Sequence, residues 1–228
     1  MSAHPLNRPV WNALATRQSG LSIGDERARR YRPEINLFAA AAETGDGEAL
    51  AWLAGDSVIG TVEPEPVAAL PGMTLQKQAI VNQMVAEQSP GLPDGFLYQL
   101  LGDTDAAEML ELATMTEPGP FFANTHLMGH FIGVREQGRL VAMAGQRMRV
   151  PGFTEVSAVC THPEHRGRGY AGKLMRVLID RIVSEGDAAF LHVYPDNAGA
   201  IALYEALGLR FRRQLHFQTW SRTQPRLS

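Results

Sequence analysis

Between Thr161 and Ala171 the chain reads Thr-His-Pro-Glu-His-Arg-Gly-Arg-Gly-Tyr-Ala, and a segment with helical apolar spacing follows. These residue types suit phosphate chemistry. The first N–H groups of a helix have no internal partners, and the helix dipole favours an anion there. Gly167 and Gly169 leave those groups open to close approach, and Arg166 and Arg168 add charge. A pyrophosphate fits this construction; the bland alternative is a glycine-rich turn at a solvated helix start. Gly167, Gly169 and Gly172 also satisfy the spacing of a dinucleotide fingerprint. That fingerprint needs its first glycine directly after a strand, and an acidic residue about 20 positions on. Here Pro163 to Arg166 intervene, and Asp187 precedes the next strand instead of ending it. The spacing therefore disfavours the dinucleotide reading.

The elements that must position this segment read clearly. Phe153 to Thr161 alternates as a strand. Ala171, Leu174, Met175, Leu178, Ile179, Ile182 and Val183 form a helical stripe, with Lys173, Arg176, Asp180 and Arg181 opposite and Gly186 at the stop. Ala188 to Tyr194 is a further strand. Asn197 to Gly208 is a short helix, and Arg210 to Trp220 a closing strand with Phe211, Leu215 and Phe217 on one side. Upstream, Phe96 to Leu101 reads as a strand. Asp103 or Thr104 caps a helix, and Phe131 to Val134 with Leu140 to Met148 makes a hairpin through Glu136-Gln137-Gly138.

The first half is less legible. Pro33 to Ala39 and the alanines after it suggest a helix. Ala49 to Leu53 and Ser57 to Val62 suggest a hairpin about Gly55-Asp56, and Leu75 to Val85 suits either a strand or a helix. Ser89-Pro90-Gly91-Leu92-Pro93-Asp94-Gly95 reads as a linker, which divides the chain into residues 1–95 and 96–228. The apolar content of the first part (Leu37, Phe38, Trp52, Leu53, Val58, Ile59) calls for burial against the second.

Composition sets outer bounds. The chain has 228 residues, 45% hydrophobic and 20% charged, which are globular proportions. Its single cysteine, Cys160, excludes an internal disulfide and a cysteine-built zinc site. A formal net charge of −3 gives no reason to expect a nucleic-acid or membrane partner. No apolar run has membrane-spanning length, and Met1 to Pro5 shows no signal-peptide pattern, so a cytoplasmic setting is expected.

Two blocks carry a family resemblance. Arg166-Gly167-Arg168-Gly169-Tyr170-Ala171 matches the pattern Arg/Gln-x-x-Gly-x-Gly/Ala. Asn197 onward, with Ala200, Leu203, Tyr204, Gly208 and Leu209, resembles the segment N…A-x-x-L-Y-x-x-x-G-F, with Leu209 in the usual aromatic place. Together they resemble the GNAT superfamily of acyl-CoA-dependent N-acetyltransferases over about residues 96–220. The first 95 residues carry no matched motif, and their position is similar to that in the glycine-N-acyltransferase-like branch. The resemblance implies an α/β (α+β) fold with a mixed, mostly antiparallel central sheet flanked by helices, here preceded by an N-terminal α/β subdomain. Acyl-CoA would lie between splayed strands. The backbone of Val159, Cys160 and Thr161 would hold the pantetheine arm, and Arg166, Gly167, Arg168, Gly169, Tyr170 and Ala171 the pyrophosphate. Asn197 would touch the CoA arm, and Tyr204 would face the sulfur.

The implied reaction moves an acetyl group from acetyl-CoA, as co-substrate, to an unidentified primary amine of a small molecule or peptide. A non-catalytic acyl-CoA-binding module on the same fold is the alternative. Transfer by direct attack needs a neutral amine, a stabilised oxyanion and a protonated leaving thiolate. A tyrosine is a suitable donor to a thiolate, which assigns Tyr204 as the acid. Two residues compete as base: Glu155, at the offset of the glutamate in histone-acetylating relatives, and His192, where ribosomal-protein acetyltransferases carry a glutamate. Cys160 reads as a small buried hydrophobe and not a nucleophile. His162 and His165 flank a turn with no third ligand indicated, so no metal is expected.

Overall fold

The computed structural model describes residues 4–223, so Met1 to Ala3, where the start of the chain was read, lie outside it. In chain order the elements are α1 (Pro9–Ala15), β1 (Ser22–Gly24), β2 (Ala28–Tyr31), β3 (Ala39–Ala41), α2 (Gly47–Ala54), β4 (Ile59–Glu63), β5 (Met73–Ala86) and β6 (Gln99–Leu101). There follow α3 (Ala106–Thr116), β7 (Phe131–Glu136), β8 (Arg139–Val150), β9 (Phe153–Thr161), α4 (Tyr170–Ser184), β10 (Ala188–Val193), α5 (Ala198–Ala206) and β11 (Arg210–Arg222).

Eight strands form one sheet in the order β4-β11-β5-β10-β9-β8-β7-β6. Every pairing is antiparallel except β10 with β9, which run parallel. This is the mixed, mostly antiparallel sheet expected. Helix α4 packs its stripe of Leu174, Met175, Leu178, Ile179 and Ile182 on one face, with Val156, Leu191 and Val193 beneath. The opposite face, bearing Val81, Met148, Phe190 and Leu215, is covered by Leu6, Val10, Ala13 and Leu14 of the N-terminal segment. A three-stranded sheet, β1-β2-β3, lies beside α2, whose alanines pack on Ala28, Ala39 and Ala41.

The first half departs from the sequence expectations in three places. Ala49 to Leu53 lies in helix α2, not in a hairpin strand. The Asp46 carboxylate accepts from the Ala49 N–H at 3.0 Å, alanine favours the helix, and Gly55 at φ 55° stops it. Pro33 to Ala39 is not helical; Ala39 enters β3, pairing with β2. Trp52 is 77% exposed and Val58 is also exposed, so these two do not supply the buried surface, whereas Phe38 and Ile59 do.

The division at residue 95 falls between strands of a single sheet. Residues 89–95 are indeed coil, but β5 hydrogen-bonds to β10 on one side and to β11 on the other. A cut at 95 removes a strand from inside the sheet. The coil is itself tied down: the Ser89 hydroxyl donates to the Asp180 carboxylate at 2.6 Å, and Arg176 donates to the carbonyls of Pro90 and Gly91. In β11, a bulge between Phe211 and Arg213 reverses the alternation. Phe211 is therefore 58% exposed and not on the side of Leu215 and Phe217.

Two irregularities shape the middle of the sheet. In β9, Ala158 and Val159 together face the single residue Ala144, and Ala158 takes φ 53°. A non-glycine residue in the left-handed region is strained and marks a local constraint. Next to it, β9 and β10 pair only from Phe153/Ala188 to Glu155/Phe190. Beyond that point β10 continues along β5 as far as Val193, while β9 continues along β8. The two strands have parted, as the resemblance implied.

Candidate active site

At the parting of β9 and β10 lies an open cleft of about 870 Å³. Its lining includes Val159, Cys160 and Thr161 from the end of β9 and every residue from His165 to Lys173. Nine of the ten residues expected to bind the cofactor thus share one surface. Gly167 and Gly169 take φ 79° and 76°, conformations that cost a side chain about 1–2 kcal/mol. No atom lies within 4 Å of the position a Cβ on Gly167 would occupy, so this side of the turn is open. Tyr170 begins α4 with no side-chain cap, leaving the first N–H groups of the helix facing the cleft.

The charges are distributed differently from the expectation. Arg168 is spent on Glu136 at 2.7 Å, and Glu136 also accepts from the Tyr170 hydroxyl. Arg166 lines the cleft beside Lys173 and Arg176, two cations that were assigned only to the solvent face of the helix. Their i, i+3 spacing and the direction of α4 past the cleft were the available signals. Thr116, Pro93, Leu203, Ala206 and Leu207 complete the walls and carry no local motif.

Asn197 is the tenth cofactor residue. It is exposed, does not line the cleft, and its side-chain oxygen accepts from the Ala200 N–H at 3.1 Å, making it the N-cap of α5. Tyr204 is half-buried on α5 and packs on the same core cluster as Val159 and Tyr170. Its neighbour Leu203 lines the cleft while Tyr204 itself does not. Burial raises the Tyr204 hydroxyl pKa above the ordinary tyrosine value, which keeps it protonated. Burial likewise pushes the Cys160 thiol up to about 11, as expected of an inert thiol.

Glu155 and His192, read as rival bases, are joined in one buried hydrogen-bond chain at the vertex of the splay. Glu155 is 0% exposed. Its two oxygens take a bidentate pair from Arg147 at 2.7 and 2.8 Å, and Oε1 also accepts from His192 Nδ1 at 2.7 Å. On the far side of the ring, Gln83 Nε2 lies 3.2 Å from His192 Nε2. The Gln83 amide orientation is set by its other contacts: its nitrogen donates to the Leu6 carbonyl at 3.0 Å, and its oxygen accepts from Arg212 at 2.8 Å. His192 Nε2 is therefore an acceptor and Nδ1 carries the proton. Burial pushes the Glu155 carboxyl upward, but the Arg147 guanidinium and the His192 bond outweigh it and hold the carboxyl low, at about 2. Both lone-pair systems are already engaged. Neither group stands free to receive an amine proton.

His162, Glu164 and His165 bring ligand atoms within 4.8 Å of one another, so Glu164 supplies the third donor that the spacing had not indicated. His162 Nδ1 is occupied as the cap acceptor of the Glu164 N–H at 3.3 Å. Asp187, the acid of the rejected dinucleotide reading, binds Arg17 and Thr154 away from the cleft. Among the described residues, no helix is long and apolar enough to cross a membrane.

The comparisons with known proteins agree with this geometry. The model of the FR47-like protein family matches residues 131–218, which run from β7 into β11. A segment of 84 residues, 36% of the chain, is 38% identical to the N-alpha-acetyltransferase RimI of Mycobacterium tuberculosis and spans 52% of that relative. Another of 59 residues, 25% of the chain, is 41% identical to a mycothiol acetyltransferase of Corynebacterium aurimucosum and spans 19% of it. The chain thus matches about half, or about a fifth, of the length of these curated relatives. A GCN5-related N-acetyltransferase of Kribbella flavida shares the fold at 19% identity, with a TM-score of 0.58 over 96% of this chain and 94% of that one. A structure of a GNAT-family protein from Novosphingobium aromaticivorans is 45% identical, with a TM-score of 0.92 over 97% of this chain and 100% of that one. With identity at that level sustained across both chains, and with the cleft formed by the two blocks that suggested it, this chain belongs to the GNAT family of acetyltransferases.

Proposed function

We propose that the protein transfers an acetyl group from acetyl-CoA to a primary amine by direct attack. The observation that carries this reading is the cleft itself. The strand backbone from Val159 to Thr161 and the helix start from Arg166 to Ala171 face one open volume, at the point where β9 leaves β10. Val159 to Thr161 would hold the pantetheine arm and polarise the thioester carbonyl. The α4 N–H groups, with Arg166 and Lys173, would take the pyrophosphate. Asn197 keeps its amide N–H₂ for the CoA arm while its oxygen caps α5. Tyr204 would protonate the departing thiolate, a role supported by its position beside the cleft-lining Leu203 and by burial that keeps it protonated.

The engaged state of Glu155 and His192 supports a positioning role over that of a free base. They brace the vertex of the splay, and the acceptor would arrive as its neutral amine or lose its proton to solvent. A lysine-like amine near pKa 10.4 would be mostly protonated near neutral pH, whereas an α-amino group near 8 would need little help. This favours acceptors of low amine pKa. Titration calorimetry with acetyl-CoA, followed by CoA release over a panel of amino acids, polyamines and peptides, tests the proposal. Failure to bind millimolar acetyl-CoA rejects it. Binding with only slow thioester hydrolysis across the panel selects the non-catalytic acyl-CoA-binding module.

A further inference from the structure

On the face of the sheet bearing the Glu155–His192 chain, Arg147 is 8% exposed and only partly used. Its Nε and Nη2 are given to Glu155, whereas Nη1 has no hydrogen-bond partner among the described residues. A Cβ placed on Gly119 would stand 3.8 Å from that Nη1, so the loop Pro118-Gly119-Pro120 borders it at ordinary contact distance. The Arg147 guanidinium lies 5.1 Å from the centre of the Phe38 ring, and Phe38 meets Phe217 edge-on at 6.2 Å. Lys77 completes the circuit. Its ammonium is 5.9 Å from the Phe217 ring centre, 4.8 Å from the Tyr194 ring centre and 2.9 Å from the Tyr194 hydroxyl oxygen.

This circuit stands at the open end of the splay. Tyr194 directly follows β10, and β5 runs on past the last β10 pair, Val193/Asn82, to carry Lys77. The Arg147–Glu155 pair is neutral as a unit. Lys77 therefore supplies the net charge, and Arg147 Nη1 supplies directed N–H donors from a buried base. The guanidinium is anchored by Glu155 while Nη1 remains reachable by solvent, so its N–H groups are free to meet a ligand in place of water. One ammonium and one guanidinium nitrogen beside an aromatic shelf suit the two oxygens of a single carboxylate on a partly apolar body.

We propose that the amine acceptor is an amino carboxylate of small size, its carboxylate held by Arg147 Nη1 and Lys77 and its side chain lying on Phe38, Phe217 and Tyr194. The proposal rests on the transferase reading for the role of the ligand, but its binding test does not.

Glycine, alanine, leucine, phenylalanine and glutamate would each be compared with the corresponding carboxamide, using CoA release for turnover. Their N-acetyl forms would be titrated calorimetrically into the CoA-loaded protein, and phosphoethanolamine would serve as an anion of another class. At least one N-acetyl acid should exceed its N-acetyl amide by about 10–100-fold in affinity, the range of a charge-assisted hydrogen bond, and kcat/KM should follow when compared per neutral amine, because a carboxylate raises the pKa of the α-amine beside it. Lys77→Met, which keeps the stem over the rings, should collapse that ratio by about tenfold through KM and not kcat. Arg147→Lys, checked by circular dichroism for retained fold, should lower the ratio as well. Equal handling of acids and amides overturns the carboxylate site, as does a ratio unmoved in Lys77→Met or a preference for phosphoethanolamine. No turnover of any acceptor, with acids still binding in preference to amides, would sustain the site and reject the transferase reading. No binding of any carboxylate would reject the site whatever the turnover shows.

Discussion

Tyr204 and Glu155 illustrate two ways in which burial treats an ionisable side chain. Tyr204 has burial as the sole cause of its upward shift, so it stays protonated and can donate. Tyr204→Phe keeps the ring packed on the core and removes only the hydroxyl. Steady-state assays should show kcat lowered by about 10²–10⁴, the span of a general acid, with acetyl-CoA affinity unchanged by calorimetry; an unchanged kcat rejects the assignment. Glu155 instead has compensating partners. Its folded pKa is depressed from 4.5 to about 2, so its contribution to stability is complete above pH 4.5 and is lost as the pH falls towards 2. Urea midpoints measured across that window should fall in the parent. They should fall less steeply in Glu155→Gln, which has no carboxyl to protonate. At neutral pH the same substitution strands the Arg147 charge and should cost about 3–5 kcal/mol. A Glu155→Gln protein as stable as the parent at pH 7 would show that the pair contributes nothing.

At the scale of elements, the cleft depends on a turn, a bulge and a helix start. The turn from Pro163 into α4 needs positive φ at Gly167 and Gly169. Gly169→Val should weaken acetyl-CoA binding about tenfold or more, because a β-branched residue resists the left-handed conformation that aims the first α4 N–H groups. Circular dichroism should show α4 otherwise retained, since its buried stripe is untouched. Unaltered affinity would mean that the helix start does not hold the cofactor. The β9 bulge at Ala158 was invisible to a reading by alternation, because Phe153 to Thr161 alternates well enough to pass as an uninterrupted strand. Its extra residue becomes evident only against β8, where Ser157 pairs with Gly145 and Cys160 with Met143. The paired role of Lys173 and Arg176 was missed similarly: the helical stripe showed which side of α4 is apolar, but not that its polar side borders a cleft.

For the whole molecule, the N-terminal 95 residues are a structural part of the central sheet. They supply β4 at one edge and β5 in the interior, and Leu6 and Leu14 cover one face. They also contribute Gln83 to the vertex chain, and Lys77 and Phe38 to the shelf. A fragment of residues 96–228 would expose both the β10 and β11 edges left by β5, together with Phe190 and Leu215 from the core. Expressed alone, it should be insoluble or lack a cooperative thermal transition. A soluble, cooperatively folding and fully active fragment would show that the first part is dispensable.

Much of the site was legible because its signals act within a few residues. The glycines at 167 and 169, the period of α4 and the stop at Gly208 are each set by local sterics and hydrogen bonding. The turn at Gln137-Gly138, both at positive φ, belongs to the same class. Strand order and burial were decided elsewhere. Whether Leu75 to Val85 is a strand depends on β10 and β11, more than 100 residues away, and its mixed polarity follows from packing with the N-terminal segment over part of its length, where Val81 shares a core cluster with Leu6 and Gln83 donates to the Leu6 carbonyl, and from facing solvent over the rest. Whether Glu155 is a base depends on Arg147 across the β8 bulge, on His192 on the next strand and on Gln83 beyond it. The sequence by itself determined the local geometry of one helix start, its glycine turn and the helix that follows. The tertiary structure decided which polar groups were paired and buried, because desolvation and partner geometry arise only once distant strands lie side by side.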